Sequence, residues 1–230
     1  MNETIESFLF FGAAITILGY ELGLFIKSRL KSPLFNPLLI SIITVILFLY
    51  LFRIDYESYN ASAKYISYLL TPATVCLAVP LYQQLRLLRE HGVAIVAGTL
   101  TGVLSTMITV LLLAFVFHLD HQQYVTFLPK SITTAIGMGV SEEMGGIVTI
   151  TVASIIITGI IGNMIAEPLC RILRITEPIA KGIAIGSASH AVGTTKAMEM
   201  GEVEGAMSSL AIATSGLCTV VIASVFVNFL

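Results

Sequence analysis

Two ionisable side chains stand inside stretches that are otherwise apolar or small: Lys130 in LPKSITTAIGMG and His190 in GSASHAVGTTKA. A lysine ammonium is a compact point charge suited to a carboxylate. A histidine changes charge near neutral pH and can couple movement of a solute to a proton gradient. Hydroxyls surround both: Ser131, Thr133 and Thr134 beside the lysine, and Ser187, Ser189, Thr194 and Thr195 beside the histidine. Thr71 and Thr74 stand in a third such stretch, LLTPATVCLAVPLY. Lysine, hydroxyls and the free N–H groups of a broken helix together form a site for a small anion. Glu142 and Glu143 are further proton-coupling candidates, or an outer-loop pair. Blander readings stay open at this point. A lysine at a membrane boundary also snorkels, a lone histidine also packs, and Ser, Thr and Gly also line helix contacts.

Catalytic chemistry is poorly served. Cys76, Cys170 and Cys218 are far apart and form no metal or disulfide pattern. GSASHAVG is no phosphate loop, because no GK[ST] follows it. No nucleophile-plus-base set lies at helical spacing. The reading is no enzyme, no metal and no cofactor.

The elements that position these residues must be membrane helices. The chain has 230 residues, 56% hydrophobic and 11% charged, with mean hydropathy +0.93. A soluble domain carries about 25% charged residues, so a water-soluble enzyme, a nucleic-acid binder and a disordered regulator are excluded. The apolar runs are continuous, without the alternation of barrel strands. They predict a single all-α polytopic domain, 1–230, with spans near 8–26, 33–52, 65–85, 93–117, 147–169 and 206–229. Pro72 and Pro80 break the third span.

Lys and Arg stay cytoplasmic. Lys27, Arg29 and Lys31 put the end of the first span inside, as do Arg86, Arg89, Arg171 and Arg174 for later ones. The stretch 127–146 then enters from outside and returns there as a re-entrant hairpin. The stretch 178–201 crosses outward. The expectation is about seven crossings plus one re-entrant hairpin, with the N-terminus outside and the C-terminus cytoplasmic. A shift of 113 residues lays Ser41-Ile42-Ile43 on Ser154-Ile155-Ile156 and Arg86 and Arg89 opposite Glu199 and Glu202. Loops of opposite charge predict inverted repeats, 33–118 and 146–230, with 8–26 and 127–145 as additional elements. Broken helices then meet at the midplane, as in secondary transporters.

The segments LPKSITTAIGMGVSEEMGGI and ITEPIAKGIAIGSASHAVGTTKAMEMGEVEGAMSSLA resemble the signature of the LrgB/CidB family. That resemblance implies a bacterial inner-membrane protein, paired with a small LrgA/CidA-type partner and described as an antiholin-like regulator of murein hydrolase export and autolysis. It also implies kinship with bacterial pyruvate uptake systems and the plastid glycolate/glycerate translocator. Two functions follow as expectations. One is proton-coupled transport of small monocarboxylates such as pyruvate, lactate or glycolate, by alternating access. The other is the antiholin-like role. The expected partners are the carboxylate, membrane lipid, a second copy in a homodimer and the small membrane partner, with no nucleic acid.

Overall fold

The computed structural model describes residues 10–30, 35–69 and 85–230, with isolated residues between 70 and 84. All regular elements among the described residues are helical. The chain forms two compact units, up to Cys76 and from Leu77 onward. Among the described residues four helices are long and apolar enough to cross a membrane: Phe11–Leu30, Arg89–Val116, Val148–Ile172 and Glu202–Phe229. About half of the span expected at 65–85, Pro80 included, lies outside the described residues.

The first unit holds α1 (Phe11–Leu30), α2 (Pro37–Phe52) and α3 (Tyr56–Ser67). Asn36 caps α2 by accepting from Leu38 N at 2.8 Å, and Pro37 fills the first turn, where no N–H is needed. Between the spans expected at 33–52 and 65–85 the chain forms helix α3, which Asp55 caps through Glu57 N at 2.9 Å. It packs on α1 at Gly12, where a Cβ would lie 2.8 Å from Ser62 Oγ.

The second unit holds α4 (Leu85–Val116, kinked at His91), α5 (His121–Phe127), α6 (Thr134–Glu143), α7 (Val148–Ile172), α8 (Pro178–Met200) and α9 (Glu202–Phe226). A capping box between Asp120 and Gln123 starts α5. Helices α5 and α6 make a hairpin with its tip at 128–133. Its open end is pinned to the start of α7 by hydroxyls. Ile147 N donates to Thr126 Oγ1 at 2.8 Å, and Thr151 Oγ1 donates to Thr126 O at 2.8 Å and bonds Ser141 Oγ at 2.7 Å. Four residues deeper, Gly137 packs on Ile155. Replacing the fully buried Thr151 by valine keeps the shape and strands Ser141 and the Thr126 carbonyl. A loss of about 1–3 kcal/mol is expected, read as a lower midpoint of thermal unfolding in mild detergent.

Helix α8 corrects the sequence reading. It was expected to cross; instead it reverses at His190, with φ 43° and ψ −143°. In a straight helix Lys181 and Lys196 would stand about 22 Å apart, yet both line one cavity with Glu204. A Cβ on Gly193 would touch Ile185 Cγ2 at 3.2 Å, and Ile185 shares a core cluster with Ala197. The stretch is therefore a second helical hairpin, with arms 178–189 and 191–200 and His190 at the tip. Its first arm packs on α9 from Gly182 and Gly186, and on α4 from Ser187 against Gly102.

The fold-back also sets where the two ends of α9 lie. With α8 folded back, α9 starts at the charged base and ends at the opposite face of the unit. There the His121 ring lies 2.6 Å from Leu230 O, and Tyr124 Oη donates to Phe226 O at 2.9 Å. The sequence reading had set His121 outside and Leu230 inside. Single cysteines at Leu230 and Arg174 are expected to react with an impermeant thiol reagent from opposite sides of the membrane. Labelling of both from one side would contradict the fold-back.

Candidate functional site

The two hairpins enter the second unit from opposite faces and meet on α7. Gly137 of the first sits on the Ile155 side chain. His190 of the second donates from Nε2 to the Ile155 carbonyl at 2.9 Å. Ile155 is fully buried. One residue thus joins the two stretches that the sequence singles out. Gly159 makes room for the ring, since a Cβ there would lie 2.7 Å from His190 Cε1.

The backbone at His190 is strained, because L residues rarely adopt this conformation. Groups freed by the reversal are taken up locally. Thr194 Oγ1 donates to His190 O at 2.9 Å and shares a 2.7 Å bond with Ser208 Oγ. Asn163 Nδ2 donates to Val192 O at 2.9 Å and to Thr195 Oγ1 at 3.0 Å. Ser187 donates to Ile183 O at 2.7 Å, and buried Ser189 packs on Gly162. These four hydroxyls bond or pack within the hairpin and onto α7 and α9.

The first tip differs. Lys130 is half-buried, and its ammonium donates to buried Ser131 Oγ at 3.2 Å. Among the described residues no acidic side chain pairs with it, whereas Lys181 and Lys196 are both paired. Thr133 caps α6 with its backbone only, and Thr134 opens that helix half-buried, so the first N–H groups of α6 lack a side-chain cap. Glu142 and Glu143 are exposed at the open end of this hairpin, away from its tip. Thr71 and Thr74 lie outside the described residues.

A cavity of about 610 Å³ runs between α4 and the first arm of α8, from His91 and Glu177 at the charged end to Ser187. Small residues open it: Gly98 and Gly102 let the helices approach and line it, with Ser105 and Thr106 beyond. Gly98-Thr-Leu-Thr-Gly102 is a G-x-x-x-G spacing, a legible helix-contact signal that the sequence reading passed over. Asn163, Gly159 and Ser208 were also missed.

At the base of the second hairpin, Lys196 pairs with Glu167 at 2.8 Å and Glu199 at 3.4 Å, and Lys181 with Glu204 at 3.8 Å. Arg171 joins Glu167 at 3.3 Å. No group of three or more His, Cys, Asp or Glu able to hold a metal occurs among the described residues.

Comparison with known proteins places these features. The family model described as the LrgB-like family matches residues 16–229. The chain is 35% identical over 222 residues to "Antiholin-like protein LrgB" of Bacillus cereus strains B4264 and AH187, covering 96% of this chain and 96% of each relative. The protein of that name in Bacillus anthracis strain CDC 684 / NRRL 3495 matches to the same extent. No solved structure matches. The chain belongs to the LrgB-like family.

Proposed function

We propose that this is an antiholin-like multi-pass protein of the bacterial inner membrane, restraining murein hydrolase export and autolysis together with a small LrgA/CidA-type partner. The family match and the relatives' shared name support this reading. Deletion in the native host is expected to raise extracellular murein hydrolase activity and speed lysis, and re-expression to reverse both. Unchanged zymograms and lysis curves would count against the role.

One observation favours a second reading, transport of small monocarboxylates by alternating access. Two opposed hairpins meet on Ile155, and one tip carries a lysine without an acidic partner. Irregular backbone persists at membrane depth only where protein or a water-lined cavity covers it, and the cavity ending at Ser187 supports such a path. In this reading Lys130, Ser131, Thr133 and Thr134 receive the carboxylate, and His190 is the proton-coupling candidate. The base holds Arg171 and Lys181, with Arg174 just beyond α7. We therefore place the base in the cytoplasm and Leu230 outside. Uptake of labelled pyruvate, lactate and glycolate into proteoliposomes, with and without a pH gradient, tests transport apart from any lytic phenotype. No uptake of any of the three would remove this reading.

A further inference from the structure

The second hairpin is fastened very differently at its two ends. At the base each arm is ion-paired to a different long helix: Lys181 to Glu204 of α9 at 3.8 Å and Lys196 to Glu167 of α7 at 2.8 Å. An apolar cluster of Ala166, Ile185 and Ala197 lies just inside these pairs. At the turn residue itself the described polar tie to α7 is the His190 ring on the Ile155 carbonyl at 2.9 Å. Beneath it α7 offers glycine. A Cβ on Gly159 would lie 2.9 Å from Val192 Cβ, and Ser189 fills the space beside Gly162. No side chain on those two residues interlocks with the turn. The bonds of Thr194 to Ser208 and of Asn163 to Val192 hold the second arm, not the turn itself.

The backbone at His190, φ 43° and ψ −143°, persists only because its surroundings enforce it. A firmly paired base, a strained tip and a smooth bearing surface are the parts of a hinged segment. We propose that 178–200 is a gate that swings from its ion-paired base, and that the His190–Ile155 hydrogen bond is the latch holding its tip on α7. What the gate admits rests on the transport reading. The movement does not, and the test reads movement alone.

The test uses the full chain in proteoliposomes, with Cys76, Cys170 and Cys218 replaced by alanine. Ser189→Cys reports on the tip and Ala197→Cys on the base; both positions are buried. Rates of modification by N-ethylmaleimide are measured. His190→Ala is expected to speed labelling at the tip about fivefold, the factor for losing one hydrogen bond of ordinary net strength, with the base reporter unchanged. His190→Gln, whose amide can donate to the same carbonyl, is expected to return the tip to near its starting rate. An unchanged tip rate in His190→Ala would overturn the latch. Equal acceleration of both reporters would overturn the gate, because the hairpin would then be unfolding as a whole.

Discussion

Gly186→Leu is expected to leave almost no folded protein in the membrane fraction. The first arm of α8 lies directly on the backbone of α9. A Cβ at Gly186 would already meet the carbonyl carbon of Ser208 at 2.9 Å and Ala211 Cβ at 2.9 Å. Neither contact is the movable end of a long side chain. Overpacking a core costs about 1–3 kcal/mol where neighbours can shift. Here three further carbons must enter against a helix backbone, so the loss exceeds that range. It consumes much of the roughly 5–15 kcal/mol that holds a typical protein folded. Gly139→Leu is the matched control, because nothing lies within 4 Å of a Cβ at that position. The comparison is made by size-exclusion profile and thermal aggregation in mild detergent. Equal profiles for the two variants would refute this account of α8 packing.

If the protein transports monocarboxylates as in the second reading, Lys130→Met is expected to abolish that uptake while leaving the protein folded. An anion at membrane depth carries a charge costing at least about 2.5 kcal/mol on insertion scales. An uncapped helix start such as that of α6 offsets about 0.3–2 kcal/mol of it, so a full positive charge is needed for the remainder. Among the described residues Lys130 is the lysine of the second unit whose ammonium has a hydroxyl but no carboxylate beside it. Binding of labelled pyruvate and uptake into proteoliposomes are the measurements. Wild-type uptake by Lys130→Met would make the residue a snorkelling anchor. Family membership and the antiholin-like role would be untouched by that result.

Legibility in the sequence followed the kind of signal available. Long apolar runs marked α1, α4, α7 and α9 because hydropathy over about 20 residues is a direct record of the bilayer. Pro129, Lys130 and the paired threonines marked the first hairpin, since such residues do not sit in an ordinary lipid-facing helix. The second hairpin was hidden. Its 23 residues match the length of one crossing, and Gly186 and Gly193 are more natural places for a reversal. The chain turns instead at a histidine. That choice is dictated by tertiary partners, the Ile155 carbonyl and the glycine at 159, which no local rule contains. The ion pairs of Lys181 with Glu204 and of Lys196 with Glu167 were illegible for the same reason, because tertiary packing alone brings the partners together. At 56–67 the signal was present and underweighted: Asp55 at the start and Lys64 in the last turn are ordinary helix-end residues. The 113-residue shift is distinct from the duplication visible in the second unit, where a hairpin followed by a long helix occurs twice, at 121–172 and at 178–226.

Those two copies run head to tail. Each is a hairpin followed by a long helix, and α7 and α9 run in opposite directions between the charged base and the far face of the unit. What tells one copy from the other is side chains more than the order of elements. Lys130 marks one tip and His190 the other, and Glu167, Lys181, Lys196 and Glu204 crowd one end. The two copies thus share an order of elements and differ in a handful of side chains. A change at one of these positions alters one copy and leaves the shared order in place.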